Sequence, residues 1–187
     1  MAQSKIINES KSGNYILENK IFILDDFSSR TSNELIGNLS DLVSNIPTEP
    51  VLQADYEITT PYDQTIKNPV IDVYINSAGG DGKILDSIVT LLSIAKSKGA
   101  IIRTTVLGRA SSCGSLLAIT GTPGFRIMFS QAYHFVHFGR HLTSIEKESE
   151  IDMAASRIKK QTNMKKNMYL QHTALTPKML NKLQSNE

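Results

Sequence analysis

The chain has 187 residues, 20 Lys and Arg against 18 Asp and Glu, a net charge of +2 and a single cysteine. That length suits one domain able to bury one core, while the near-balanced charge leaves no electrostatic footprint for nucleic acid and a lone cysteine excludes an internal disulfide framework. No apolar run approaches a membrane span and the start carries no apolar signal segment, so a soluble cytoplasmic protein with no membrane partner is expected.

In chain order, residues 1–13 are polar and read as a loose start, and the apolar pairs within 15–24 suit a first strand or hairpin. Leu35, Ile36, Leu39, Leu42 and Val43 recur at helical spacing. They predict a helix over 31–46, capped by Thr31 or Ser32 with Glu34, that packs on a sheet. Residues 47–69 hold Pro47, Pro50, Pro61 and Pro69 with acidic residues, Tyr56 and Tyr62, and read as a long loop insertion. Such a loop is either a tolerated surface connection or a lid or partner contact.

Val70-Ile71-Asp72-Val73-Tyr74-Ile75 is a strand by its β-branched and aromatic content, and it runs into Asn76-Ser77-Ala78-Gly79-Gly80-Asp81-Gly82. Ile84, Leu85, Ile88, Leu91, Leu92 and Ala95 then follow a helical period that Gly99 ends. A second buried strand, Ile101 to Leu107, leads into Gly108-Arg109-Ala110-Ser111-Ser112-Cys113-Gly114 and the apolar helix start over 115–120. If the two strands are parallel neighbours, a right-handed crossover brings both glycine turns to one sheet edge, facing one cleft. The Ser112 hydroxyl then sits where strand gives way to helix. Flanking glycines allow close approach of a substrate, and the unpaired amides of a helix start can receive developing negative charge. Serine acyl transfer is the leading chemistry, although Ser, Ala and Gly at such a junction are also ordinary capping residues. Farther on, residues 142–170 form a long helix whose apolar stripe is broken by charges, so it needs a surface to cover part of it.

In that order Tyr74-Ile75-Asn76-Ser77-Ala78-Gly79-Gly80, Gly108-Arg109-Ala110-Ser111-Ser112-Cys113-Gly114 and Phe135-Val136-His137 after Arg126 resemble the ClpP-like serine peptidases of the ClpP/crotonase superfamily. The resemblance runs from Asn19-Lys20-Ile21-Phe22-Ile23 to the end of the chain, with Ser112 and His137 at the family's usual separation. It implies an α/β spiral of ββα units with a projecting handle helix. It also implies Ser112 as nucleophile, His137 as general base, and the Gly80 and Cys113 amides as oxyanion donors. His172-Thr173 resembles the family's His-Thr-Gly, and counting from it without a gap places Glu187 at the position of the triad acid. An unfolded or extended polypeptide substrate, a homo-oligomer of stacked and commonly sevenfold rings, and a hexameric AAA+ ATPase partner are further implications. No cofactor or metal is expected.

The sequence departs from the family pattern at Ala78, where proline is usual, at Phe138-Gly139, where glutamine and proline are usual, and at its end, where the family continues beyond the acid. The C-terminal part of the family fold is therefore expected to be absent. Several alternatives stand beside the leading reading. A Cys113–His137 dyad is conceivable, since a thiolate is the stronger nucleophile. Asp81, Asp86 or Asp152 could orient His137, though each also suits a cap or a solvated carboxylate. His134, His141 and His172 read as surface or packing residues, no spacing resembles a zinc site, and the 79–82 turn lacks the features of a P-loop or a Rossmann fingerprint. A catalytically weak or structural subunit of the same fold is the second functional reading, and a crotonase-type acyl-CoA enzyme the third.

Overall fold

The computed structural model describes residues 13–46, 58–59, 65–66, 68–137 and 151–185. Strands β1 (Asn14–Leu17) and β2 (Lys20–Ile23) form an antiparallel hairpin, as the apolar pairs of 15–24 predict. β2 then pairs in parallel with β5 (Val70–Ser77), and β5 in parallel with β6 (Ile101–Ser111). Two short strands, β7 (Arg126–Met128) and β8 (Tyr133–Phe135), both pair in parallel with β6, β7 near its middle and β8 at its C-terminal end. The sheet order is β1-β2-β5-β6-β7, with β8 beside the last stretch of β6. Between residues 47 and 69, β3 (Ile58–Thr59) and β4 (Thr65–Ile66) pair as a separate two-stranded ribbon.

Helix α1 spans Ser29–Ser44, two residues earlier than its apolar period suggests. Its N-cap is Ser28, whose hydroxyl accepts from the Thr31 amide at 3.3 Å while Thr31 Oγ1 accepts from the Ser28 amide at 3.2 Å. Thr31, expected as the cap, is thus the N3 partner of a reciprocal capping box. Helix α2 (Gly82–Ser97) is capped by Asp81, whose carboxylate accepts from the Lys83 amide at 2.8 Å. Helix α3 (Cys113–Ile119) begins immediately after β6 and is buried along its whole length. Helix α4 (Ile151–His172) covers the later part of the expected 142–170 helix; residues 138–150 lie outside the described ones. Helix α5 (Pro177–Ser185) returns with Leu180 buried.

The core follows from these periods. Leu35, Leu39 and Val43 of α1 and Leu85, Ile88 and Leu92 of α2 bury against Ile21, Ile23, Val73, Ile75 and Ile102 of the sheet. Tyr15, Phe22 and Tyr74 sit in register across three strands and stack with ring centroids 4.7 and 5.1 Å apart. Parallel pairing also sets Asp72 opposite Arg103, which grips it in a bidentate pair at 2.5 and 2.9 Å. Lysine and arginine cap helix ends, where the dipole favours cations: Lys98 Nζ donates to the Val43 carbonyl at 2.9 Å, Lys96 Nζ to Thr120, and Arg126 to His172.

The two halves of α4 differ. Asp152, Ala155, Ser156, Lys159, Lys160 and Gln161 are exposed, whereas Tyr169 near its end is only 1% exposed and lies against α3. The helix is therefore anchored at its C-terminal end by Tyr169.

Candidate active site

Ser112 is the N-cap of α3 and takes φ 51° and ψ −118°. A non-glycine residue in that region costs roughly 1–3 kcal/mol, so the surrounding structure must impose it. What imposes it is the glycine turn after β5. A Cβ on Gly79 would fall 2.6 Å from Ser112 Cβ and 2.9 Å from the Ser111 carbonyl oxygen, so only glycine permits the two turns to touch. Ser77 Oγ accepts from the Gly79 amide at 3.1 Å, and Asn76 Oδ1 accepts from the Arg109 amide at 3.0 Å. These two side chains explain why Asn-Ser precedes the paired glycines: one shapes the turn, the other ties it to the neighbouring strand. A positive φ at a strand-to-helix corner is the backbone arrangement of a nucleophile turn.

Gly80 pairs with Phe27 in a parallel bridge made by Phe27 N–H to the Gly79 carbonyl and Asp81 N–H to the Phe27 carbonyl, both 2.7 Å. That pattern consumes the groups flanking Gly80 and leaves its own N–H without an acceptor among the described residues. The Cys113 N–H, first in α3, has no intrahelical acceptor either. Both residues line a cavity of about 350 Å³ together with Ser112, His137, Leu116 and Met168.

His137 follows β8, half-buried, its ring tilted against Phe135 at a centroid distance of 5.5 Å. It faces the same cavity as Ser112, but among the described residues no hydrogen bond joins the two side chains. Nucleophile and base contacts are often looser without substrate and tighten in the complex, so shared placement in one cavity is the informative feature. Glu187, the expected acid, lies outside the described residues, as does His141.

The remaining candidates take structural positions. The Cys113 thiol is buried and donates to the Gly80 carbonyl at 3.1 Å. Burial pushes its pKa up, an effect only partly countered by Lys165 and by a hydrogen bond with Ser112. A thiol so held is a poor source of thiolate, which weighs against the Cys113–His137 dyad. Asp81 is occupied as a cap, while Asp86 lines the cavity with its pKa raised by burial and by Asp81. Asp152 is exposed on α4.

His134, read from the sequence as surface or packing, hydrogen-bonds through Nε2 to Ser115 Oγ, and burial lowers its pKa. His172, at the end of α4, has its pKa lowered by burial and then by Lys96 and Arg126. Among the described residues no cluster of three or more His, Cys, Asp or Glu could hold a metal ion, and no helix is long and apolar enough to cross a membrane. Sequence reasoning missed Asn76, Ser77, Phe27 and the Ser115–His134 contact. The first two carried a signal, since Asn and Ser ahead of glycines are turn formers. The others are long-range.

Comparison with known proteins gives the same direction. A family model described as Clp protease matches residues 62–187. Over 103 residues the chain is 30% identical to the ATP-dependent Clp protease proteolytic subunit 4 of Streptomyces avermitilis, covering 55% of this chain and 44% of that one. Against proteolytic subunit 1 of Corynebacterium efficiens the identity is 26% over 110 residues, covering 59% and 51%. The proteolytic subunit of Lactococcus lactis is 34% identical over 67 residues, covering 36% and 32%. The chain thus spans about half or less of the length of these curated relatives.

Proposed function

The chain belongs to the Clp protease family, and from that premise we propose that it is a serine endopeptidase that cleaves unfolded or extended polypeptides through an acyl-enzyme at Ser112. The observation that carries this reading is the convergence in one cavity of Ser112 on a strained strand-to-helix turn, His137, and the uncommitted amides of Gly80 and Cys113.

In the proposed reaction an extended substrate segment lies beside β8 as an added strand, so backbone hydrogen bonds supply most of the affinity. The scissile carbonyl carbon is placed at Ser112 Oγ. His137 takes the hydroxyl proton as the Oγ–C bond forms, and the carbonyl electron pair moves onto oxygen, where the Gly80 and Cys113 amides receive it. Each such donor is worth about 3–4 kcal/mol of transition-state stabilisation. The tetrahedral intermediate expels the amine, which takes the proton from His137. A water then attacks the ester with His137 again as base, releasing the carboxyl fragment and restoring Ser112. Glu187 is the proposed acid that orients His137.

Assembly into stacked homo-oligomeric rings and pairing with a AAA+ ATPase belong to the same proposal. They are supported by the family to which the chain belongs and by the name of its relatives, ATP-dependent Clp protease proteolytic subunits. A cytoplasmic location is proposed on the same footing. The missing Ser112–His137 hydrogen bond favours one second reading, a catalytically weak or structural subunit of this fold. Cleavage of unfolded casein distinguishes the two. The peptidase reading expects fragments from the wild type and none from Ser112→Ala or His137→Ala; equal cleavage by all three, or by none, overturns it.

A further inference from the structure

A serine–histidine hydrogen bond, Ser115 to His134, lies behind the Ser112 cavity. Ser115 follows Ser112 by three residues on α3, and His134 precedes His137 by three residues through β8. Ser115 Oγ hydrogen-bonds His134 Nε2 and, at 2.5 Å, the hydroxyl of Tyr169 from α4. Ser115 is fully buried, Tyr169 is 1% exposed, and neither lines the cavity that holds Ser112. No substrate carbonyl can reach this hydroxyl, so the pair is not a second catalytic centre.

Its placement gives it another use. The Cys113 thiol ties the start of α3 to the Gly80 carbonyl, and the remaining residues, Gly114, Leu116, Leu117, Ala118 and Ile119, carry no polar side chain. The β6–β8 ladder, with Ala110 opposite His134, sets β8 along the sheet, and Thr104 Oγ1 of β6 donates to the Ala118 carbonyl at 2.8 Å, but neither contact ties α3 to β8, the strand that leads to His137. One buried hydroxyl shared by an imidazole from β8 and a buried phenol from α4 supplies that constraint, because leaving the Ser115 or Tyr169 hydroxyl unpaired is costly. Ser112 is the N-cap of this short helix, so a rotation of α3 about its axis carries the Ser112 backbone with it.

We propose that Ser115, His134 and Tyr169 are positioning residues that join α3, β8 and α4 at one point and thereby set the separation of Ser112 from His137. The inference rests on the peptidase reading of those two residues. Misplacement of reacting groups by about 1 Å costs on the order of 10²-fold in rate, so a modest rotation of α3 is sufficient to matter.

The test uses full-length protein and two readouts: the rate at which a fluorophosphonate labels Ser112, and the ring ¹³C–¹H signal of His137, assigned with a His137→Ala variant. His134→Leu and Ser115→Ala are expected to slow labelling about tenfold or more and to move the His137 signal. His134→Gln, which keeps a polar atom near the Nε2 position, is expected to stay within about threefold of wild type with the His137 signal in place. A contact that serves only stability would not be restored this way, so Gln behaving like Leu while both remain folded overturns the proposal. So do unchanged labelling and an unchanged His137 signal in folded Ser115→Ala and His134→Leu. If the wild type is not labelled at all, the peptidase reading falls, and the His137 signal alone decides whether the network positions that ring.

Discussion

Replacing Gly79 by alanine perturbs the site at the point where its two turns touch. Gly79 has φ +114°, and its new Cβ would lie 2.6 Å from Ser112 Cβ, 2.9 Å from the Ser111 carbonyl oxygen and 3.1 Å from the Cys113 nitrogen. Holding alanine at that φ costs roughly 1–3 kcal/mol. The contact adds a second effect, because carbon atoms rest about 3.5–4.0 Å apart, and relieving the overlap requires the Ser112 turn to recede by about 1 Å. Two of the three atoms met are backbone, so no side-chain rotation relieves the clash. A recession of that size is expected to lower kcat/KM for an unfolded casein substrate by about 10²-fold. Gly99→Ala separates the two effects, since Gly99 has φ +90° with nothing within 4 Å of the added Cβ. Urea denaturation should show Gly99→Ala losing roughly 1–3 kcal/mol and Gly79→Ala losing more, with only Gly79→Ala losing activity beyond its folded fraction. A folded Gly79→Ala with wild-type kcat/KM would refute the argument that this contact sets the nucleophile turn. An equal activity loss in Gly99→Ala would refute it as well.

Cys113→Ala keeps the main-chain amide and removes only the thiol that holds the Gly80 carbonyl. Peptidase kcat/KM should fall by no more than about tenfold, whereas a cysteine nucleophile requires complete loss. Asp72→Asn breaks the bidentate pair with Arg103, whose side chain is 27% exposed. Chemical denaturation should register a loss of about 3 kcal/mol, the low end for a broken buried pair because of that exposure, with most of it recovered when both residues are made apolar. Burial lowers the pKa of His134 and His172 below the ordinary 6.5, so the unfolded chain binds more protons there than the folded one. Stability is then fully present above pH 6.5 and declines as the pH falls through 6.5 towards the depressed folded-state values. His134→Gln should flatten that slope in denaturation midpoints measured across the window, and an unchanged slope would remove His134 from the account.

Much of this molecule is legible from local pattern. The β-branched run of β5, the helical period of α2 and the glycine turn at 76–82 each use short-range chemistry, and the structure has all of them, whereas the strand expected to end at Leu107 runs on through Gly108 to Ser111 and turns only at Ser112. The start of α1 shifts because Ser28, Ser29, Thr31 and Ser32 are all competent caps within one turn, and only the Asp26 carbonyl accepting from Thr31 Oγ1 at 2.5 Å decides among them. β7 and β8 are three residues each and exposed, too short for a period to show. Long-range partners leave no mark on local sequence. Ser115 reads as one hydroxyl in an apolar helix until Tyr169, 54 residues away, is folded against it. The Asp72–Arg103 pair becomes visible only once the parallel register of β5 and β6 is known. At the site itself, Ser112, His137, Gly80 and Cys113 are all recognisable from motif order, whereas Phe27 is not, because it acts through its backbone.

The most direct measurement of the central claim is mass spectrometry of the intact protein and its peptides after fluorophosphonate treatment. The account predicts one covalent adduct, carried by the peptide containing Ser112, lost in Ser112→Ala and strongly slowed in His137→Ala. An adduct mapping to another residue, or one formed equally well without His137, would contradict it.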